Sequence, residues 1–382
     1  MHEGNIIAPA PDKRPEKRPS WTGYNSPIRS LRRSPRSLLP MSGLLLVLPD
    51  FLVILLGVLL RARFFTDAAF WMRTEKLVFY VLLPAMLFLS VAGSTVALGD
   101  AAIFLSAGVL SMSLAAALAW GIRYVVRADD VTHASVFQCG FRFNSYIGFA
   151  LAARIGGDEA LALLALLIAV WVPISNALAT AELARAVAKA DGADGVADGG
   201  QKNEKDSGQP RSALTGRVLL RKTLRGVVTN PLILATVGGL LWKGFGLPLP
   251  VTLVQTLKHL GDASLALGLL CIGAGLTAGA LRKYARLIAA ATFERLVAAP
   301  VAALLVTSAI AFCFPLSPMG AAVVLLFAAL PTAQSCYVMA SAMGGNAPAV
   351  AGVTTAHILA SAVTLPLWTI VIQRVLAGAA LF

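Results

Sequence analysis

The sequence predicts an all-α membrane protein whose chain crosses the bilayer ten times. Hydrophobic residues make up 57% of its 382 residues and charged residues only 13%, with a mean hydropathy of +0.76. A soluble domain carries about a quarter charged residues, so this composition excludes a soluble fold. Two further observations organise the chain. Polar clusters interrupt two of its apolar segments, and its two halves share residues at a constant offset.

The N-terminal 40 residues differ from the rest of the chain. They hold eight basic residues and no long apolar run, which predicts a disordered basic extension. Met41 directly precedes the first apolar segment and is therefore an alternative start. Ten predicted spans follow, each near the length that a bilayer requires: 42–60, 75–94, 100–123, 131–154, 159–182, 228–246, 257–280, 285–312, 317–344 and 349–376.

One long polar loop, residues 183–227, divides the chain into a first repeat at 41–182 and a second at 228–382. Because five spans precede the second copy, it is inverted relative to the first, as in many secondary transporters. Identical residues occur 182 positions apart in the two copies, among them Gly57 and Gly239, Lys76 and Lys258, Gly93 and Gly275, and Thr95 and Thr277.

The two interrupted segments are the fourth and ninth spans. The first runs from His133 to Leu151 and the second from Leu330 to Gly345. Irregular backbone is tolerated at membrane depth only where protein or a water-filled cavity satisfies its polar groups. A pair of broken segments at matching positions in two halves indicates the binding site of a transporter.

Arg142 is the strongest candidate for substrate binding. An arginine at the centre of a span costs at least about 2.5 kcal/mol, so we expect it to face a cavity or a partner. With Asn144 and Ser145 beside it, its guanidinium could bind a carboxylate through two hydrogen bonds. The alternative is a structural arginine that binds free carbonyl groups of the broken helix.

The second break supplies neutral polar candidates. Pro331 interrupts the helix, and Thr332, Gln334 and Ser335 follow it. These groups suit hydrogen bonding to a substrate or to the crossing backbone. The alternative is a set of hydrogen bonds between helices without any ligand.

Titratable groups for ion coupling are few. Asp262 lies four residues after Lys258 and could form an ion pair with it. Glu294 adjoins Arg295, and adjacent opposite charges often lie near the membrane–water interface, where their long side chains reach water. His357 is the third coupling candidate. In the first repeat we expect no titratable group deeper than Arg142, because the acids there lie at loop edges: Asp129, Asp130, Asp158 and Glu159. We therefore expect proton coupling or uniport, although backbone carbonyls can also hold sodium.

Other classes of function lack their signatures. The basic residues sit mainly in loops and tails, where they orient a membrane protein, and we predict no nucleic-acid partner. No motif for an enzyme, a cofactor or a metal occurs, and we expect none of these. The four cysteines form no Cys-x-x-Cys pair and are expected to pack in apolar segments: Cys139, Cys271, Cys313 and Cys336.

Charge asymmetry predicts the orientation. From Met41 onward, Lys and Arg number 18 on the side of the 183–227 loop and 4 on the opposite side. The first side should be cytoplasmic, which places both termini outside. The basic residues of 1–40 conflict with this orientation, unless Met41 is the start or the remaining charges override them.

The order of several motifs resembles a bacterial member of the auxin efflux carrier family from about Met41 to Gln373. The motifs are Pro49-Asp-Phe-Leu-Val-Ile-Leu-Leu-Gly, Phe143-Asn-Ser-Tyr-Ile-Gly148, Pro173-Ile-Ser-Asn176, Asn230-Pro231-Leu, Leu267-Gly-Leu-Leu-Cys-Ile-Gly273, Ala329-Leu-Pro-Thr-Ala-Gln334 and Thr354-Thr-Ala-His-Ile-Leu-Ala-Ser361.

The resemblance implies two inverted five-span repeats, as in bile-acid symporters and sodium/proton antiporters. The broken fourth and ninth spans would cross and bring Asn144 near Gln334. A transport part would move against a scaffold part in an elevator-like cycle. Family substrates are organic anions, such as auxin in plants and malonate or malate in bacteria. Since this chain lacks the Asn-Pro-Asn crossover of plant members, auxin specificity is not carried over.

We therefore predict a secondary active transporter or uniporter of small carboxylates in a bacterial inner membrane. Its expected partners are the bilayer and the anion, with homodimer formation left open. One alternative is a sodium-coupled symporter of the bile-acid type. The other is a membrane-embedded ligand sensor, which the lack of a soluble signalling domain disfavours.

Overall fold

A computed structural model of the protein describes residues 41–93, 98–197, 229–276 and 281–378. Within these ranges every regular element is a helix, which confirms the all-α prediction for this part of the chain. Numbered in chain order, the helices are α1 Met41–Arg63, α2 Ala68–Ala92, α3 Leu98–Val125, α4 Asp130–Phe137, α5 Ser145–Ala197, α6 Pro231–Phe245, α7 Val251–Ala274, α8 Ala285–Cys313, α9 Pro318–Ala329, α10 Ser335–Ala342 and α11 Ala347–Leu376.

Seven segments of the described chain are long and apolar enough to cross a membrane, and α6 and α9 are shorter apolar helices. One of the seven, Asp130–Ala190, has 61 residues and contains α4, a break and most of α5. A single crossing takes only about 20 residues. Inside α5 the path bends at Gly156 and Gly157, where Gly157 adopts a φ of +56° that favours glycine. The fold is thus a polytopic helical membrane protein, and the count of ten stays a prediction.

Several boundaries differ from the prediction, among them the start of α2 at Ala68 rather than at residue 75. Helix α5 continues to Ala197, so residues 183–197 of the predicted polar loop are helical. Helix α7 begins at Val251 directly after Pro250, rather than at residue 257, and ends at Ala274. Proline cannot continue a preceding helix but is compatible with a helix start, which explains the earlier beginning. The predicted extension 1–40 and the loop residues 198–227 lie outside the described residues.

The helices pack in two groups. In the first bundle α1 lies against α7, and α2 lies against α6 and α7. In the second bundle α8 packs on α3 and α9, α9 packs on α11 and α5, and α4 packs on α5. The two bundles meet mainly where α5 and α11 face the first bundle. Polar side chains also connect the bundles, because Arg154 of α5 pairs with the buried Asp50 of α1 at 2.6 Å.

Glycines allow close backbone contacts inside the first bundle. A Cβ atom at Gly57 of α1 would overlap the carbonyl group of Leu270 in α7, and one at Gly239 of α6 would lie 3.0 Å from the carbonyl oxygen of Phe88 in α2. Gly57 and Gly239 are 182 residues apart, and so are Phe88 and Leu270. The same helix contact therefore occurs twice, with the partners exchanged between the halves of the chain.

Candidate functional site

The two broken segments cross each other. Helix α4 ends in a 3₁₀ turn at Gly140, and α5 begins at Ser145, while α9 ends at Ala329 and α10 begins at Ser335. The backbone N–H of Asn144 donates to the carbonyl oxygen of Pro331 at 2.8 Å, so the two irregular stretches satisfy one another. Two helix N-termini and two helix C-termini consequently meet inside the second bundle.

Asn144 begins the second half of the first broken segment. Its side-chain oxygen accepts hydrogen bonds from the backbone N–H groups of Tyr146 at 3.1 Å and Ile147 at 3.2 Å, as an N-cap residue does. The residue is only 3% exposed. The crossing therefore fixes Asn144 through its backbone and its side-chain oxygen.

A cavity of about 220 Å³ lies at the crossing, between the first and second bundles. Both helix N-termini contribute to its wall through the first residues of α5 and the residues around the start of α10. Its lining residues are Glu75, Phe79, Leu83, Arg142, Phe143, Asn144, Ser145, Tyr146, Val172, Ser175, Asn176, Asn230, Leu232, Ala333, Gln334 and Ser335.

Arg142 projects into this cavity and contacts only neutral side chains. Its guanidinium donates to Gln138 Oε1 at 3.1 Å and to Ser335 Oγ at 3.0 Å, and it lies 3.3 Å from Met339 Sδ. Among the described residues, no carboxylate forms an ion pair with it. Its positive charge is thus held in place without being neutralised by a side chain.

Of the other predicted binding residues, all but Thr332 line the cavity. Ser145, Gln334 and Ser335 line the cavity together with Asn144. Gln334 also donates through Nε2 to the carbonyl oxygen of Ile272 at 3.0 Å, which connects the crossing to α7. Thr332 is fully buried, lies against Cys336 and does not line the cavity.

None of the three predicted coupling residues lines the cavity. Asp262 is exposed on α7 and, among the described residues, forms no ion pair with Lys258. The expected interfacial position of Glu294 is wrong, because Glu294 is 4% exposed and Arg295 is 0% exposed. His357 is also buried completely, beside Ala291 and Arg295.

The buried face of α8 includes Glu294 and Arg295 at ordinary helical spacing. Leu287 and Ala291 are buried, and Glu294 and Arg295 follow Ala291 by three and four residues. The same two residues begin a π-helical turn, Glu294–Ala298. The opposite charges of the pair suggest the interface, whereas its position on this face directs it into the second bundle.

Sequence reasoning also missed acids in the first half. Glu75 of α2 lines the cavity opposite the crossing, and Asp50 of α1 is 2% exposed. Glu75 occurs in an Arg-Thr-Glu-Lys run that is typical of a loop edge, whereas α2 begins at Ala68 and carries it inward. The predicted span starts at residue 75, which places Glu75 at the membrane surface rather than inside the helix bundle.

Three further polar residues line the cavity: Ser175, Asn176 and Asn230. Asn230 caps the start of α6, since its side-chain oxygen accepts from the backbone N–H groups of Leu232 and Ile233. Among the described residues, no group of three His, Cys, Asp or Glu side chains could hold a metal ion. The lining of the cavity offers a ligand hydrogen-bonding and charged side chains.

Comparison with protein families decides the class of this protein. The profile described as membrane transport protein matches residues 44–369, nearly the whole described chain. The chain belongs to this family. The family is of the auxin efflux carrier type, which confirms the resemblance that the motifs indicate. No curated protein matches the chain. The protein is therefore a multi-pass membrane transport protein.

Proposed function

We propose that the protein transports small organic anions through the cavity at the helix crossing. One observation carries the proposal: the cavity contains the guanidinium of Arg142, which no carboxylate of the described residues neutralises. The N-termini of α5 and α10 add about half a positive charge each to the same wall. An anion is the ligand that this arrangement of charge favours.

The geometry suits a carboxylate in particular. Arginine presents a planar set of donors that matches the two oxygens of a carboxylate. Ser145, Gln334 and Ser335 offer neutral groups beside it that can orient the rest of the ligand. The cavity of about 220 Å³ is smaller than the roughly 300–1,000 Å³ of sites for drug-sized ligands. We therefore infer mono- or dicarboxylates of a few carbon atoms, such as malonate or malate.

The architecture that we propose comprises ten spans in two inverted repeats, 41–182 and 228–382. The exchanged contacts of Gly57 with Leu270 and of Gly239 with Phe88 support it, because a twofold-related pair of repeats produces such an exchange. Dividing Asp130–Ala190 at Gly156 and Gly157, and counting α6 and the α9–α10 pair as spans, gives ten crossings.

The transport cycle would be elevator-like, with the second bundle moving against the first. The cavity lies at the boundary between these bundles, and its walls come from both. Among the described residues, the polar contacts that would exchange across the boundary include those of Arg154 with Asp50 and the Leu46 carbonyl, of Ser90 with Asp158 at 3.3 Å, and of Gln334 with the Ile272 carbonyl.

For coupling we propose a proton rather than sodium. Glu75 faces the same cavity as Arg142, so a bound anion would favour its protonated form by repulsion of like charges. The anion and the proton would then cross the membrane together. If Glu75 kept the same protonation state throughout the cycle, the anion would cross alone, as in a uniporter. The rival is a sodium-coupled symporter, for which replacing sodium by choline would abolish transport.

In the proposed orientation both termini lie outside and the 183–227 region is cytoplasmic, in a bacterial inner membrane. The excess of basic residues on the loop side supports this. A reporter fused after Gln201 should be active only in its cytoplasmic form, and one fused at Phe382 only in its external form. The opposite pattern would reverse the orientation.

Transport in liposomes tests the proposal directly. Purified protein is reconstituted, and uptake of labelled malonate, malate and short monocarboxylates is measured with and without a proton gradient. Protein-free liposomes and a neutral solute of similar size serve as controls. We expect saturable uptake of at least one carboxylate. Absence of carboxylate movement under every gradient would exclude the proposed substrate class.

A further inference from the structure

Arg295 binds the backbone at the ends of both broken helices. Its Nε donates to the carbonyl oxygen of Leu330 at 2.8 Å, and its two terminal nitrogens donate to those of Phe327 at 3.1 Å and Gly140 at 3.3 Å. Gly140 ends the first half of one broken segment, and Phe327 and Leu330 lie at the end of the first half of the other. The side chain is buried completely.

The carbonyl groups that Arg295 binds carry the partial negative charge of two helix ends. A helix C-terminus carries about half a negative charge, so the converging ends of α4 and α9 supply about one negative charge together. One guanidinium supplies one positive charge. No carboxylate in the described part of the chain forms an ion pair with Arg295, although Glu294 is its neighbour in sequence.

Other side chains surround the guanidinium of Arg295. The Glu294 carboxyl lies against Gly140, where an added Cβ would overlap both that carboxyl and Ala119. His357 lies nearby, and Met112 Sδ is 4.0 Å from the guanidinium. The guanidinium is the cation that binds the three carbonyl groups.

In transporters with broken helices, unwound carbonyls and half-helix C-termini are the groups that coordinate a coupling cation. We propose that Arg295 is a built-in replacement for that cation. Arg295 supplies the positive charge that a sodium ion would otherwise bring to the crossing. The two broken segments therefore keep their contact at any sodium concentration. The consequence for ion coupling rests on the proposed transport function, whereas the effect on stability does not.

This assignment separates two arginines at one crossing. Arg142 contacts side chains only and faces the cavity, while Arg295 contacts three backbone carbonyl groups and is closed off from it. The role of a structural arginine that binds free carbonyls thus belongs to Arg295. Arg295 is a positioning residue, because it acts on the substrate only through the backbone that it holds.

The test measures the melting temperature of purified protein in sodium chloride, choline chloride and dilute guanidinium chloride at equal ionic strength. The wild type should melt at the same temperature in sodium and in choline. Arg295→Ala removes the positive charge and leaves three carbonyl oxygens without their donor. We therefore expect the melting temperature to fall by roughly 5 °C or more. Sodium or guanidinium should restore part of this loss relative to choline.

Thr307→Ala is the matched control, since it creates a buried space in the same helix without changing charge. It should show no recovery in sodium or guanidinium relative to choline. If Arg295→Ala does not fold, Arg295→Lys and Arg295→Met replace it, and the lysine variant should melt at the higher temperature.

Three results would overturn the proposal: stabilisation of the wild type by sodium over choline, a methionine variant more stable than the lysine variant, or a folded Arg295→Ala protein that no cation stabilises. These readouts require no substrate, so they are separate from the liposome test. Failure of carboxylate transport with sodium-independent stability would overturn the function and leave the role of Arg295 standing.

Discussion

Replacing Arg142 provides the most direct test of how the anion is bound. A hydrogen bond to a charged group contributes about 1.5–3 kcal/mol, and a factor of ten in affinity corresponds to about 1.4 kcal/mol. Arg142→Ala should therefore weaken carboxylate binding about 10- to 100-fold. Arg142→Lys keeps the charge but loses the planar pair of donors, so we expect an intermediate loss.

The folded state should tolerate this change better than the ligand does. Arg142 is half-buried and contacts neutral side chains, so Arg142→Ala leaves no buried charge unpaired. We expect a loss of stability of about 1–2 kcal/mol from its hydrogen bonds. Stabilisation by malonate or malate is measured by thermal shift, together with uptake in liposomes. Lys189→Ala, which removes an exposed cation near the C-terminal end of α5, is the control. Unchanged ligand stabilisation in folded Arg142→Ala protein would refute the reasoning.

Three other variants test neighbouring parts of the structure. Glu75→Gln should abolish the stimulation of uptake by a proton gradient while retaining anion binding, and an unaltered pH response in liposomes would argue against Glu75. Asp50→Asn should lower the free energy of unfolding by about 1–3 kcal/mol, because Arg154 loses its partner; chemical denaturation measures this, and equal stability would contradict it. Gly57→Ala should destabilise the protein by about 1–3 kcal/mol, whereas Gly121→Ala, whose Cβ meets nothing within 4 Å, should not.

Sequence predicted the crossing well because its signals are local. Pro331 removes a backbone donor, and polar residues such as Asn144 inside an apolar run are costly unless backbone groups need them. The hydrogen bond between Asn144 and Pro331 agrees with the expectation that the two breaks meet. The resemblance to auxin efflux carriers added the pairing of the fourth and ninth spans, which periodicity alone does not give.

The remaining site residues depend on contacts that are distant in sequence. Glu75 lines the cavity only because α2 packs beside the crossing, and nothing within its own segment indicates this. Thr332 adjoins Gln334 in sequence, yet the irregular backbone turns it toward Cys336. The adjacent charges of Glu294 and Arg295 indicate an interface, whereas both follow Ala291 on the buried face of α8. Local patterns locate a break, but tertiary packing decides which side chains face it.

The ends of the broken helices agree with the anion that we propose as the ligand of this crossing. Their N-termini open into the cavity, where Arg142 adds a full positive charge to the partial charges of α5 and α10. Their C-termini point away from it, and Arg295 already occupies the position between Gly140 and Leu330. The positive charge of Arg142 and of the helix N-termini therefore faces a ligand in the cavity, while the partial negative charge of the helix C-termini is paired with Arg295. Of the described residues that line the cavity, Glu75 is the acidic one, so the energy of a proton gradient would enter through that carboxyl.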